Sequence, residues 1–284
     1  MGEPECPYCG SKDIKSYGTY ERDEIEILRY QCKHCKRTFS VLTGTVFERH
    51  KLPLGVMFYI IKNLPHMSVN EIASELGLDY DSVQRFAMDV MEIAHGEVSL
   101  EKLCVAVEID EIYVNRGEKG KKGFRDKEAW KGSGGTYESG RPPVITMVER
   151  FTGRVKFIVA ERLSISVINE LVINHTDAPV IPYTDEYRVY NGLSELSVVV
   201  DHRRVNHSEG IFADGDAHIN TAEGIHSRLR IFLRVHRGPN RGNLQFYVSF
   251  FAFYHNNGSR WLEKIMRACL NKRKSAKDIC EANT

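Results

Sequence analysis

The chain has 284 residues, enough for one large hydrophobic core and one or two small modules. Hydrophobic residues make up 42% of it and charged residues 27%, which excludes a wholly disordered chain. Its apolar runs fall short of the roughly 20 residues that span a bilayer, and its start, MGEPECPYCG, lacks the features of a secretory signal. We therefore expect a cytoplasmic chain with no membrane partner, although a net charge of +1 does not by itself indicate what it binds.

Two Cys-x-x-Cys pairs stand near the start of the chain. Each pair can place two thiolates on one side of a tight turn, so two pairs together complete a tetrahedral zinc site. Residues 25–30 predict the strand of a ribbon that returns the second pair to the first. We expect one structural Zn²⁺, bound by Cys6, Cys9, Cys32 and Cys35. The basic residues around the second pair either contact phosphates or form a solvated face.

A helix-turn-helix pattern follows. Residues 54–64 predict an apolar helix, and residues 69–86 predict two further helices separated by Gly77, whose freedom to take a positive φ suits a tight turn. If the second of these is a recognition helix, Gln84 and Arg85 lie at its exposed start and contact DNA. The alternative is a plain helical hairpin that packs on the core.

Acidic residues then occur at the ends of predicted elements. Residues 103–114 predict a buried strand that carries Asp110, and a carboxylate in such a run is costly unless it is paired or binds metal. A hairpin is predicted at 143–149 and 154–160, a helix at 165–173, and a short strand at 179–184 with Asp185 at its carboxyl end, where open α/β sheets place their ligands. Another strand is predicted at 196–200.

The last acidic residue, Glu223, lies on a predicted helix that has two distinct faces. Its apolar stripe is expected to face the core, whereas a neighbouring polar face combines Glu223 with cations. Residues 224–262 contain no Asp or Glu, so this part of the chain is basic and suits DNA. Taken singly, each acid is explained equally well by a turn, a salt bridge or a solvated helix. The polar face comprises Glu223, Ser227, Arg230 and Arg234.

Several blocks of this sequence resemble the zinc-ribbon branch of the DDE insertion-sequence transposases. The matching text is CPYCGS, YQCKHCKRTFSVLTGTVFERHKLPL, VEIDEIYV, YTDEYRVYNGL and HINTAEGIHSRLR. The resemblance implies an α/β fold in which a ribonuclease H-like mixed sheet with flanking helices is preceded by a small zinc ribbon and a helix-turn-helix. The expected domains are a zinc ribbon at 1–50, a DNA-binding domain at 51–100, a catalytic domain at 101–243 and a C-terminal helical segment at 244–284.

The resemblance also implies roles for individual residues. Asp110 and Asp185 are the first two acids, and the third is Glu223 or Asn220; we favour Glu223 because a carboxylate neutralises a metal ion better than an amide. Arg230 stands where the family often has Lys. Two Mg²⁺ or Mn²⁺ ions at these acids would support DNA cleavage and strand transfer. Further DNA contacts are expected from Arg234 and from a basic insertion that contains Lys121, Lys122 and Arg125.

The implied partners are double-stranded DNA, as inverted terminal repeats and as target, and a second copy of the chain in a homodimer or larger complex at the nucleoid. Two other functions remain open. The chain could be a DNA-binding regulator whose ribonuclease H-like domain is inactive. It could also be a recombinase with a tyrosine nucleophile, for which Tyr183 and Tyr190 are the candidates.

Overall fold

The computed structural model describes residues 4–48, 50–114, 142–205 and 220–271, with the side chain of Asn220 excepted. The expected DNA contacts Lys121, Lys122 and Arg125 lie outside these residues. Within them, no helix is both long and apolar enough to cross a membrane. The described residues fall into two compact units, one drawn from Met1–Leu64, Val69–Ile93 and Leu262–Thr284 and the other from Pro65–Ser68 and Ala94–Trp261. The bounds of the four expected domains stay predictions.

The first unit begins with a three-stranded antiparallel sheet. Its order is β1-β2-β3, and the Cys-x-x-Cys turns flank β1 and the end of β2. Arg22 ties this sheet to the segment that follows it, because its guanidinium donates to the carbonyls of Phe47, His50 and Leu52 at 2.8 to 3.0 Å. The strands are β1 (Ile14–Arg22), β2 (Ile25–Cys32) and β3 (Thr38–Ser40).

The predicted helices of the next segment are confirmed as elements. They are α1 (Leu54–Asn63), α2 (Val69–Leu76) and α3 (Tyr80–Leu100). Gly77 has φ +63° between α2 and α3, as predicted for the tight turn, and an open space where a Cβ would stand shows that the requirement is conformational. Gln84 is half-buried and Arg85 is exposed near the start of α3. Their contact with DNA stays a prediction.

The second unit is built on a five-stranded mixed sheet, as the sequence predicted. The strand order is β6-β5-β4-β7-β8, in which β4 pairs antiparallel with β5 and parallel with β7. This order, with three antiparallel strands followed by two parallel ones, is the ribonuclease H-like arrangement. The strands are β4 (Leu103–Tyr113), β5 (Pro143–Glu149), β6 (Val155–Val159), β7 (Thr176–Thr184) and β8 (Arg203–Arg204).

Alternation along β4 separates the core from the polar side of the sheet. Val107 and Ile109 point into one apolar cluster with Ile168 and Val172 of the helix α4 (Ile165–His175). Residues at the intervening positions face the other side, where α5 (Asn220–Val235) contacts β4 and β5. This alternation therefore fixes which side of the sheet each acidic residue of β4 faces.

Three further helices complete the described chain. The predicted stripe of α5 is confirmed, since Ala222, Ile225, Leu229 and Phe232 are buried. The aromatic-rich helix α6 (Arg241–Asn257) packs on β6 through a largely buried face, and α7 (Trp261–Leu270) follows. Most of the aromatic side chains of α6 are therefore part of the core.

The strand predicted at 196–200 is wrong. Turn hydrogen bonds from Leu196 N to Leu193 O and from Val199 N to Leu196 O fold this apolar run back on itself. Its only sheet-like feature within the described chain is an isolated bridge between Val180 and Val199. The outermost strand is instead β8, a two-residue strand that pairs with the carboxyl end of β7.

Candidate active site

The pairing of β4 with β7 brings Asp110, which lies within β4, and Asp185, which directly follows β7, to neighbouring positions on two parallel strands. Glu108 of β4 stands opposite Tyr183 of β7 in the register, so each aspartate lies two residues farther along its own strand. Asp185 directly follows β7, and its Oδ1 accepts a hydrogen bond of 2.9 Å from the backbone N–H of Tyr187. Strand geometry thus joins two acids that are far apart in sequence.

The charge of Glu223 of α5 also acts on Asp110. Burial raises the pKa of Asp110 to about 7, with added repulsion from Glu111, Asp185 and Glu223. Since charge repulsion of this kind requires proximity, all three carboxylates lie near Asp110. Asn220 lies at the start of the same helix. Arg230 and Arg234 are exposed on the polar face predicted for α5.

His226 packs directly behind Asp110. Its Nε2 is 2.7 Å from the hydroxyl of Thr146, and its Nδ1 is 3.6 Å from Asp110 Oδ2. Burial and then the charge of Arg230 lower the pKa of His226 to about 4, so the imidazole is neutral at pH 7. In the tautomer with the ring proton on Nδ1, that proton faces the carboxylate and Nε2 accepts from the Thr146 hydroxyl.

Glu111 points to the opposite side of β4 from Asp110, as strand alternation requires. Its Oε2 accepts a hydrogen bond of 2.6 Å from the hydroxyl of Tyr190, a fully buried ring. Burial raises the pKa of Glu111, and the charge of Asp185 raises it further. The sequence reasoning missed Glu111 as a neighbour of the site, although its place beside Asp110 was a visible signal.

Glu108 fixes the start of α5 and is the most deeply buried acid of the site, with an exposed fraction of 0%. Its carboxylate accepts hydrogen bonds from the Thr221 hydroxyl and the Ala222 N–H, both at 3.0 Å. Arg150 Nε lies 3.4 Å from the same carboxylate and compensates its charge. Sequence reasoning missed this residue too, yet its spacing of two from Asp110 puts both acids on one face of the strand.

The four predicted zinc ligands come together in the first unit. The sulfur atoms of Cys6, Cys9, Cys32 and Cys35 all lie within 4.8 Å of one another, an arrangement that can hold a metal ion. The backbone N–H of Cys35 approaches Cys32 Sγ at 3.4 Å and is the main cause that lowers the pKa of that thiol to about 6, which favours the thiolate. Among the described residues only this group converges so closely, and the acids of the second unit are spaced more widely.

The two tyrosines considered as nucleophiles are buried. Tyr190 has no exposed surface and donates to Glu111, while Tyr183 is 3% exposed beneath the guanidiniums of Arg150 and Arg203. A phosphodiester cannot reach either hydroxyl without displacing the core around it. The structure therefore argues against the recombinase alternative.

Comparison with known proteins gives consistent results over most of the chain. Residues 102–256 match the family model described as an ISXO2-like transposase domain. The chain is also 30% identical, over 93% of its own length and 91% of the relative, to "Uncharacterized protein in transposable element ISH50" of Halobacterium salinarum.

Solved structures show only distant similarity. A pre-cleavage Mos1 transpososome matches at 10% identity with a TM-score of 0.28, over 80% of this chain and 83% of that chain. A simian T-cell lymphotropic virus intasome in complex with PP2A regulatory subunit B56 gamma matches at 10% identity with a TM-score of 0.28, over 75% of this chain. This chain spans 64% of that intasome chain. Similarity at this level bears on neither chemistry nor partners.

Proposed function

The chain belongs to the ISXO2-like transposase family, and we propose that it binds the terminal repeats of its element and catalyses metal-dependent DNA cleavage and strand transfer with Asp110, Asp185 and Glu223. The observation that carries the proposal is the pairing of β4 with β7, which brings Asp110 and Asp185 to neighbouring strand positions, with the charges of Asp185 and Glu223 acting on Asp110. Such a set of hard oxygen donors fits Mg²⁺ or Mn²⁺, because a divalent cation offsets that repulsion. When bound, the metal supplies positive charge to the oxygens that gain negative charge during phosphoryl transfer.

The chain's own residues hold the acids in place. β4 and β7 fix the backbone of Asp110 and Asp185, and the buried Glu108 fixes the first turn of α5 from which Glu223 projects. The neutral ring of His226 lies against Asp110 and limits its movement. In a preorganised site of this kind, no free energy has to be spent on ordering the side chains when the substrate binds.

The proposed reaction has two steps. Hydrolysis of a phosphodiester at each element end releases a 3′-hydroxyl. That hydroxyl then attacks a phosphodiester of the target DNA, so that its oxygen bonds to the phosphorus while the bond from the phosphorus to the target's own 3′-oxygen breaks and leaves a 3′-hydroxyl on the target. The exposed arginines of α5, Arg230 and Arg234, lie on the same face as Glu223 and supply charge for the DNA backbone. In the first unit, the ribbon with its bound Zn²⁺ and the exposed Arg85 would supply further DNA contacts.

Cleavage of a duplex that carries the element ends tests the proposal. We expect Asp110→Asn and Asp185→Asn each to lose at least a hundredfold in cleavage rate with Mg²⁺ while DNA affinity changes little. Asp177→Asn is the matched control, since Asp177 is exposed at the opposite end of β7 and should leave the rate unchanged. Glu223→Gln and Asn220→Ala, compared in the same assay, identify the third ligand by the larger loss.

Two results would contradict the proposal. Cleavage by Asp185→Asn at the wild-type rate would remove this residue from the site. A wild-type protein that binds the ends but does not cleave them with Mg²⁺ or Mn²⁺ would favour the DNA-binding regulator instead.

A further inference from the structure

A basic site lies in the same unit as the candidate active site, on another face of α5. It is a cavity of about 200 Å³ between the turn that joins β5 to β6, the helix α5 and the end of α6. On α5, Thr221, Ile225 and Arg228 line it at helical spacing. Arg228 is five residues beyond Glu223, which is about 140° around a helix, so the cavity and the acidic site face different directions.

The cavity lining is cationic and contains no acidic residue among the described part of the chain. Arg154 and Arg228 supply the charge, with His255 and Asn256 between them. The charge of Arg154 is balanced by Glu149, whose Oε2 lies 2.8 Å from Arg154 Nη2 and behind the lining. Arg228 has no carboxylate partner among the described residues, so the site carries a net charge close to +1.

Hydrogen bonds fix the walls of this cavity and leave some N–H groups of the two arginines without a partner within the described ranges. Asn256 accepts from Val155 N at 2.8 Å and donates to Val155 O at 3.0 Å. His255 Nε2 is 3.1 Å from the carbonyl of Gly153 and must donate to it, so His255 Nδ1 accepts from Arg228 at 3.3 Å. The imidazole and amide are therefore structural, and they hold Arg228 toward the cavity.

The two guanidiniums keep donors for a ligand. Both hydrogen bonds of Arg154 use Nη2, which leaves the N–H groups of Nη1 without a partner among the described residues, whereas its Nε is buried out of reach of a ligand. Arg228 uses Nη1 for His255, which leaves its other N–H groups available. Guanidinium pairs with unused N–H groups are suited to phosphate oxygens, because their planar forks match the geometry of the anion.

We propose that this cavity binds one phosphodiester of the DNA backbone and anchors the substrate away from the reacting phosphate. The inference rests on the proposed function, since it assumes that DNA is the substrate of this unit. The single negative charge of a phosphodiester matches the net positive charge of the cavity. Because Arg228 is exposed, the cavity is open on its side, and a phosphate of the DNA backbone can enter there. Bound here, DNA would contact both flanks of α5.

The test is the salt dependence of DNA binding by the zinc-loaded full-length chain, measured by fluorescence anisotropy on a 30-base-pair duplex. Loss of one phosphate contact lowers the slope of log affinity against log salt by about 0.9. We expect this decrease, with affinity reduced severalfold, for Arg228→Gln, and near-complete recovery for Arg228→Lys. Arg162→Gln is the control, since Arg162 is exposed in the same unit and its loss changes net charge equally.

The outcomes separate this inference from the proposed function. An unchanged slope for Arg228→Gln, while the wild type binds DNA, overturns the anchoring site alone. A wild type that binds no DNA overturns the proposed function. If Arg228→Gln keeps the DNA slope but abolishes binding of inorganic phosphate, followed by ³¹P NMR, the cavity holds a free anion and the anchoring role is wrong.

Discussion

Replacement of Glu108 is the sharpest test of how the site is held together. This carboxylate is fully buried, accepts from Thr221 and Ala222 and compensates Arg150, which is itself only 11% exposed. Removing one partner of a buried ion pair costs about 3–5 kcal/mol, because the remaining charge loses its compensation. We therefore expect Glu108→Ala to lower the free energy of unfolding by about this amount.

The conservative change separates charge from shape. Glu108→Gln also leaves Arg150 without an opposite charge, but it keeps one acceptor oxygen for the first turn of α5, so it should cost less than Glu108→Ala. The double variant Glu108→Gln/Arg150→Met should cost less than the sum of the two single changes, since neither charge then remains buried alone.

Two measurements check these values. Urea denaturation followed by circular dichroism gives the free energies, and amide hydrogen exchange reports opening of residues 220–235. Reduced protection confined to α5 is expected in Glu108→Gln. A loss below 1 kcal/mol in Glu108→Ala, with normal protection of α5, would refute the idea that this residue fixes the helix.

Two further predictions concern zinc and a buried lysine. Cys32→Ser should lower the zinc content, measured by mass spectrometry, below one ion per chain. It should also expose the amides of β1 to β3 to hydrogen exchange, because a structural zinc contributes about 10–16 kcal/mol to folding. Full zinc occupancy in this variant would be inconsistent with the four-thiolate site. Burial lowers the pKa of Lys156 to about 8 from its ordinary value of 10.5. Between these two pH values the unfolded chain binds more protons than the folded chain. The contribution of Lys156 to stability is therefore fully present above pH 10.5 and lost as pH falls to about 8. Lys156→Met should raise the free energy of unfolding at pH 7, measured by urea denaturation, by on the order of 1–3 kcal/mol. It should also flatten the rise of stability between pH 8 and pH 10.5, and an unchanged pH profile would argue against this assignment.

Local patterns were sufficient to predict much of the fold. Alternation and β-branched residues located β4 and the β5–β6 hairpin, and helical spacing located α5 with its buried stripe, because these signals depend on neighbouring residues alone. The run at 196–200 misled the prediction, since its apolar residues form turns. The two-residue strand β8, made of Arg203 and Arg204, has no pattern that sequence can display.

Only part of the candidate site could be predicted from the sequence, because the rest depends on contacts between elements that are distant in the chain. Asp110 stood out as a carboxylate within a buried strand, and Asp185 as one at the carboxyl end of a strand, where open α/β sheets place their ligands. The supporting contacts of Glu108 and His226 depend on how α5 packs against β4, which local sequence does not specify. The cavity beside Arg228 likewise arises from three elements that are distant in the chain.

In the proposed site, Asp110 and Asp185 together hold a divalent metal ion. The most direct test is Mn²⁺ binding to the zinc-loaded full-length chain, measured by electron paramagnetic resonance, for the wild type, Asp110→Asn, Asp185→Asn and the control Asp177→Asn. We expect saturable binding by the wild type and the control, and at least a tenfold loss of affinity in each of the other two variants. Identical binding curves for all four proteins would contradict the account.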